Sequence, residues 1–251
     1  LEFRRVLFRS FRPTVLHPDS LYLVRWSSYG SPQSMQPLPH RGASGGLCFP
    51  PRGLGWYWTP EVKVLQDMGV VPFEILEGRE FHPDNPGAHP FAWVQDVYQH
   101  RRRLADDQDK AADLLKLGLA AVWGKLAQQT GWKADPLEIP RWHHLASAGL
   151  VTSHVRAQLM AAAWPWPDKI IAVETDSLIT TEPLPNVEIG DELGQWSYRR
   201  YENLTYLGSG LSWADDSTGQ EWSRTAGIPR GRIDRETVLN VAREEIGRAH
   251  V

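Results

Sequence analysis

The stretch that decides the fold is residues 170–179, Ile-Ile-Ala-Val-Glu-Thr-Asp-Ser-Leu-Ile. Two runs of apolar residues, rich in types that favour strands, flank a short polar centre. This pattern predicts a β-hairpin with the polar residues at its turn. Because Glu174 and Asp176 are the charged residues of the stretch, any chemistry at the hairpin depends on them.

The two carboxylates are two residues apart, and in an extended segment this spacing places both side chains on one face. Two carboxylates held close together suit a hard divalent cation with oxygen ligands, Mg²⁺ above all and Mn²⁺ as its substitute. The ten residues alone leave a second interpretation open, in which the hairpin lies at the surface and has an acidic turn without a ligand.

Both ends of the chain differ from natural protein sequence. Residues 1–10 match the in-frame translation of a short-read sequencing adapter, and residues 246–251 match the complementary adapter end. We therefore expect both segments to be adapter-derived and not native, and exclude them from the fold prediction. The alternative for residues 1–10 is a basic N-terminal arm. Since the chain does not begin with Met, we also expect the natural start to lie upstream.

Composition places the chain among ordinary globular proteins, with 41% hydrophobic and 23% charged residues. The formal net charge is −3, and without the adapter-derived ends, which carry four arginines and one glutamate, it is about −6. Any contact with nucleic acid must therefore come from local basic patches or from missing parts of the protein. Cys48 is the single cysteine, which argues against a disulfide framework and favours a reducing compartment. No apolar run is long enough to predict a membrane span.

Strand and helix patterns alternate before residue 90. Residues 21–26 and the aromatic end of residues 47–58 predict strands. Thr59, as the cap, and Pro60, at the first helical position, predict a helix that ends near Gly69. A further strand is predicted over residues 70–77, followed by a loop over residues 82–90.

Helical periodicity dominates from residue 91 onwards. It predicts two helices, over residues 93–104 and 109–129, with a turn near residues 105–107. A third helix is predicted over residues 145–163, directly before the hairpin. Residues 193–196 and 204–207 are predicted to be strands.

The second of these helices carries a notable stripe. Lys116, Ala120 and Trp123 follow the i, i+4, i+7 spacing that places side chains on one helix face. A cation can hold a triphosphate, a small residue leaves room for a sugar, and a flat ring can pack against a base pair. Gly124 removes a side chain where a base must come close. The alternative is a core helix rich in Ala and Leu, with a solvated lysine.

The two stretches together resemble the family B DNA polymerases, especially the protein-primed branch of phages, linear plasmids and organellar elements. That family has a finger helix of the form K-x3-N-S-x-Y-G, which would correspond here to Lys116, Ala120-Ala121, Trp123 and Gly124. It also has a palm hairpin of the form D-T-D-S, which corresponds to Glu174-Thr175-Asp176-Ser177. The order of the elements, finger helix, third helix and hairpin, also matches the family.

The resemblance implies DNA-templated nucleotidyl transfer to a primer 3′-hydroxyl with two divalent metal ions. The implied partners are a DNA primer–template, a dNTP and, as an alternative primer, a terminal protein, without a membrane. The implied location is the bacterial cytoplasm, for a protein encoded by a phage or mobile element, or an organelle. The implied site residues are Asp176 and Glu174 for metal and catalysis, and Lys116, Ala120, Trp123, Gly124, Arg102 and Arg103 for the nucleotide.

The implied fold is α+β: a polymerase palm, an antiparallel β-sheet with packed helices, interrupted by a helical-hairpin fingers insertion. Lys116 and Asp176 should face one cleft. The predicted divisions are residues 11–90 and 136–215 for the palm, 91–135 for the fingers, and 216–245 for the start of the thumb or the C-terminal palm.

Departures from the family leave other hypotheses open. The family's first metal aspartate, in a D-x-x-S-L-Y-P motif, should precede Leu21 and is missing, so we expect this piece by itself to be inactive. Ala120-Ala121 and Glu174 also fit a non-catalytic, nucleic-acid-binding remnant of the polymerase fold. A third hypothesis is an unrelated α+β protein. A zinc site is disfavoured because His143, His144 and His154 lack ligand spacing and Cys48 has no partner cysteine.

Overall fold

A computed structural model describes residues 7–11, 15–27, 35–41, 47–69, 72–82, 89–128, 133–134, 137–138, 142–208, 210–225, 234–237, 239–240 and 243. Within these residues the protein is α+β, as predicted, and the strands of each sheet pair antiparallel. The chain divides into two compact units, Leu1–Val187 and Glu188–Val251, here called unit 1 and unit 2.

Unit 1 holds ten of the described strands, and unit 2 holds three. The strands of unit 1 are β1 Leu7–Phe11, β2 Ser20–Ser27, β3 His40–Arg41, β4 Leu47–Cys48, β5 Arg52–Trp58, β6 Phe73–His82, β7 Lys133–Ala134, β8 Leu137–Glu138, β9 Ile170–Val173 and β10 Leu178–Thr180. Those of unit 2 are β11 Tyr201–Gly208, β12 Leu211–Asp216 and β13 Glu221–Thr225. The described α-helices are α1 Thr59–Met68, α2 Trp93–Asp106, α3 Ala111–Leu126 and α4 Leu145–Ala163.

The main sheet of unit 1 has the strand order β1-β6-β2-β5. Residues of β2 alternate in burial, and Tyr22, Val24 and Trp26 point to the core face. Trp26 pairs in register with Gly53 of β5, where a Cβ would overlap the indole ring. The glycine therefore gives the large ring its place in the core, which buries apolar surface that stabilises the sheet.

Helix α1 closes the core with Val62 and Leu65, which are 0% and 1% exposed. The predicted position of this helix is confirmed, and it ends at Gly69, which has a left-handed backbone (φ 63°). The prediction that Thr59 caps the helix is wrong. Its hydroxyl instead accepts a hydrogen bond from the Ser20 N–H at 3.0 Å and donates to the His17 carbonyl at 2.7 Å. A contact across the sheet thus replaces the local cap.

Helix α4, predicted over residues 145–163, has these bounds in the structure and packs on α1. A partly buried ion pair joins the two helices: Arg156 Nε and Nη2 donate to the Glu61 carboxylate at 2.7 and 3.1 Å. Gly149 of α4 lies against the indole of Trp58, so closely that a Cβ would overlap the ring. These contacts fix the helix that leads into the hairpin.

The two predicted helices after residue 91 are confirmed as α2 and α3, which pack against each other. The connection falls at residues 107–110, slightly later than predicted, and Gln108 has a positive φ of 57°. Asp109 donates its N–H to the Leu104 carbonyl at 2.8 Å, which closes the turn. The predicted limits of palm, fingers and thumb stay a prediction.

Unit 2 contains a three-stranded sheet of order β11-β12-β13. The strand predicted over residues 204–207 lies within β11, whereas the strand predicted over residues 193–196 is wrong. That segment forms a turn, in which Gly194 has a positive φ of 93° and the Gln195 N–H bonds to the Glu192 carbonyl at 3.1 Å. The apolar Leu193 and Trp196 suggested a strand, but the glycine between them favours a turn.

Candidate functional site

The hairpin predicted at residues 170–179 is present, formed by β9 and β10. Val173 pairs with Leu178, and the Glu174 N–H donates to the Ser177 carbonyl at 2.9 Å. Residues 174–177, the acidic turn, therefore lie between the strands and not within one. The argument that an extended backbone places both carboxylates on one face does not apply to this turn. Asp176 is exposed and Glu174 is half-buried.

The acidic turn suits a divalent cation in the kind of ligand it offers. Mg²⁺ in proteins commonly binds one or two carboxylates and completes its octahedron with water and substrate phosphates. Within the described residues, no group of three or more His, Cys, Asp and Glu side chains could form a cage of protein ligands. The assignment of Glu174 and Asp176 as cation ligands stays a prediction.

The hairpin is anchored to the end of α4 by residues that the sequence analysis did not single out. Asn186 Nδ2 donates to the carbonyls of Ala161 and Ala162, each at 3.2 Å, and so satisfies groups that a helix end leaves unpaired. Asn186 Oδ1 accepts from Trp166 Nε1–H at 2.9 Å. The Trp-Pro-Trp-Pro run at residues 164–167 was a visible signal of a rigid connection.

A second contact holds the base of the hairpin. Lys169 forms an ion pair with Glu182 at 2.7 Å, and its ammonium lies 4.3 Å from the ring centroid of Trp166. The Thr181 N–H donates to the Lys169 carbonyl at 2.9 Å, which continues the pairing beyond β10. The acidic turn is thus presented at the far end of an anchored hairpin.

The predicted stripe of α3 lies on its solvent face. Lys116, Ala120 and Gly124 are exposed, and Trp123 is 44% exposed. A Cβ at Gly124 would meet no atom of the described chain, so packing within the chain does not require the glycine. The alternative of a core helix with one solvated lysine does not describe this face, since Leu117 is also 69% exposed. The buried residues of α3 are Ala112 and Leu126, near the two ends of the helix.

Arg102 and Arg103 lie on α2, in its last two turns. Arg102 is half-buried, whereas Arg103 is exposed and its Nε donates to the Gln99 carbonyl at 3.5 Å. The structure thus places the predicted phosphate-binding residues on the helix that packs against α3. Whether Lys116 and Asp176 face the same cleft stays a prediction.

His144 has a structural role. His144 is 6% exposed, and its Nδ1 accepts from the Ser147 N–H at 3.2 Å and contacts Ser147 Oγ at 2.7 Å, which caps α4. Burial lowers the pKa of His144, with a further contribution from His143. The acceptor role of Nδ1 requires the neutral imidazole.

Comparison with known proteins places the fold. No family model matches the chain, and no curated protein sequence matches it. Two solved structures of phi29 DNA polymerase do match: one with primer–template DNA in a post-translocation binary complex, with a TM-score of 0.60, and one with single-stranded DNA, with a TM-score of 0.62. The fold is polymerase-like.

The match covers nearly all of this chain but only half of the polymerase. It covers 93% and 94% of this chain, at 15% sequence identity in both cases. The chain spans about half the length of the polymerase, since 50% of each neighbour is covered.

Among the described helices, none combines the length and apolar character that a membrane crossing requires.

Proposed function

We propose that the chain is the palm and fingers part of a DNA-templated DNA polymerase of the protein-primed family B branch. The observation that carries the proposal is the acidic turn at the tip of an anchored hairpin, within a chain whose fold is polymerase-like over nearly its whole length. Neither feature alone distinguishes a polymerase from a surface hairpin.

The exposed stripe of α3 supports the same proposal. Lys116 supplies the charge that binds the incoming triphosphate, and the indole of Trp123 packs beside the nascent base pair. Ala120 has a small side chain and Gly124 has none, so a sugar and a base can approach the helix backbone closely. Arg103, and Arg102 behind it, add positive charge near the phosphates. All of these side chains lie on the helical hairpin formed by α2 and α3.

Asp176 and Glu174 would hold the divalent cation, Mg²⁺ or Mn²⁺. When bound, such a cation supplies activation of the attacking hydroxyl and stabilisation of the leaving pyrophosphate. Asp176 would bind the cation through a short, exposed side chain, and Glu174 through a longer one on a backbone held by a hydrogen bond to the Ser177 carbonyl. Substrate phosphates and water would complete the coordination.

Binding of a matched dNTP to the chain tests the proposal. A fluorescent primer–template is titrated with the chain in Mg²⁺, with the next templated dNTP, with a mismatched dNTP or with none. The matched dNTP should tighten DNA binding, and Lys116→Ala should remove this increment. Lys110→Ala is the matched control, because Lys110 lies at the start of the same helix but off the stripe. Equal binding with matched and mismatched dNTP would overturn the proposal.

The alternative is a nucleic-acid-binding remnant without nucleotidyl transfer, which the replacement of Asn-Ser by Ala120-Ala121 and of Asp by Glu174 favours. A remnant would bind the primer–template, and neither dNTP nor Asp176→Asn would change its affinity. An unrelated protein would give a third outcome, in which the chain does not bind the primer–template.

A further inference from the structure

The sheet of unit 2 has two faces of different character. Paired residues in an antiparallel sheet share a face, and alternate residues along a strand point the same way. Ser212 pairs with Tyr206 on one side and Arg224 on the other, Ala214 pairs with Trp222, and Tyr201 pairs with Asp216. We call the surface formed by Tyr201, Tyr206, Trp222 and Arg224 the aromatic face.

The aromatic face is partly open to solvent. Its three rings are half-buried and Arg224 is exposed, whereas the small central residues Ser212 and Ala214 are 2% and 0% exposed. Rings from the two outer strands therefore lie over the central strand. Trp213, which points to the opposite face, is 1% exposed, so the central strand is buried on both faces.

Two rings of the aromatic face lie close together, and an arginine lies at their edge. The ring centroids of Tyr201 and Trp222 are 5.0 Å apart, with 35° between their planes. Arg199 is exposed, and its Nη1 donates to Tyr201 Oη at 3.3 Å, which places a guanidinium at the edge of the ring pair. Its neighbour Arg200 instead pairs with Glu202 at 3.4 Å. Glu202 belongs to the opposite face, because it pairs with Asp215.

The acidic residue of this face is engaged in a turn. Asp216 Oδ1 accepts from the Thr218 N–H at 2.8 Å, the Thr218 hydroxyl at 2.6 Å and the Gln220 N–H at 3.0 Å. These bonds shape the connection from β12 to β13 and direct this oxygen into the turn. The Asp216 carboxylate also attracts Arg199 electrostatically, so the face presents flat rings together with the exposed Arg224 and with an Arg199 guanidinium whose charge is partly offset.

We propose that the aromatic face binds an unpaired DNA strand. Base stacking on aromatic side chains tolerates any sequence, and arginines at the edge of the rings contact the phosphates that link the stacked bases. A sheet that presents aromatic rings is a common platform for single-stranded nucleic acid. The site lies in unit 2, whose residues have no role in the proposed nucleotidyl transfer. Only the choice of DNA over RNA rests on the proposed function.

Fluorescence anisotropy of labelled dT20 with the full chain tests this site over a range of salt concentrations. Arg199→Glu should weaken binding about tenfold and reduce the slope of log affinity against log salt by about 0.7, the value for one lost phosphate contact on a single strand. Arg200→Glu is the matched control, with the same charge change one residue away on the other face. Trp222→Leu, which keeps an apolar side chain but removes the flat ring, should weaken binding about tenfold.

Each outcome decides the proposal. Equal losses for Arg199→Glu and Arg200→Glu would mean that net charge alone governs binding, and would overturn it, as would unchanged binding by Trp222→Leu. Hydrogen exchange of peptides that cover β11 to β13, followed by mass spectrometry, shows whether unit 2 of each variant has kept its fold. Tyr201→Leu replaces Trp222→Leu if it has not. Tighter binding of rU20 than of dT20 would overturn the choice of DNA. Lys63→Ala, at an exposed lysine of α1 outside both proposed sites, should leave dT20 binding unchanged. Failure of the proposed function is seen separately, in the dNTP assay.

Discussion

The ion pair between Glu61 and Arg156 gives a sharp prediction about how the hairpin is supported. The Glu61 side chain is 3% exposed and that of Arg156 is 41% exposed. Arg156→Met would leave a buried carboxylate without its partner. Breaking a fully buried pair in this way costs about 3–5 kcal/mol. Because water reaches Arg156, we expect the lower end of that range, about 3 kcal/mol.

The assay is urea unfolding followed by circular dichroism at the helical band. Most of the described helical residues lie in unit 1, in α1 to α4, so this signal reports mainly on the unit that contains the ion pair. With a urea dependence of about 2–3 kcal/mol per molar, Arg156→Met should lower the midpoint by about 1 M. Lys63→Met is the matched control on α1, since the exposed Lys63–Asp67 pair should contribute only about 0.3–0.5 kcal/mol.

A double-mutant cycle completes this test. Replacing both partners, by Glu61→Met with Arg156→Met, removes the buried charge and should recover most of the stability lost in the single variant. The reasoning is refuted if Arg156→Met shifts the midpoint no more than Lys63→Met does, or if the double variant is as unstable as the sum of the single ones.

Three further predictions concern packing, pH and metal. Gly149→Ala should lower the free energy of unfolding by about 1–2 kcal/mol, because its Cβ overlaps the Trp58 indole. Gly118→Ala, at an open helical site, should raise the free energy of unfolding by about 0.5–1 kcal/mol. Urea unfolding measures both changes. Since burial holds the pKa of His144 below its usual 6.5, the folded state binds its proton less readily than the unfolded state. Stability measured against pH should therefore be full above pH 6.5 and fall below it, less so in His144→Asn. Asp176→Asn should weaken Mn²⁺ binding, followed by electron paramagnetic resonance, at least tenfold.

Local signals made most of the helices and the hairpin predictable from the sequence. The apolar runs around Glu174-Thr175-Asp176-Ser177 have a strong strand preference, and the periodicity of residues 145–163 continues without a break, so local and tertiary preferences agree there. The turn between α2 and α3 lies later than predicted because Ala105 and Asp106 continue α2. Both residue types can occur in a helix, so only the packing of the two helices decides where α2 ends.

Contacts between distant segments were not predictable. Thr59 carries a good capping side chain, yet its hydroxyl binds His17 and Ser20, which only the folded sheet brings near. The anchor formed by Asn186 and Trp166 joins residues 20 positions apart, and neither residue type signals such a bond by itself. The acidic residues were found from their types and spacing, but their location in a turn follows from the hairpin register, which the apolar pattern does not determine to the residue.

The central claim is that Asp176 is a metal ligand for nucleotidyl transfer, and primer extension tests it most directly. The measurement uses the longest natural chain recovered that carries residues 11–245, with wild type, Asp176→Asn and the control Asp168→Asn compared on one primer–template in Mg²⁺. Asp168 is a second exposed carboxylate, located before the hairpin. Wild type and Asp168→Asn should extend the primer, and the extension rate of Asp176→Asn should be at least a hundredfold lower. Equal extension by all three proteins, or no extension by any of them, would contradict the claim.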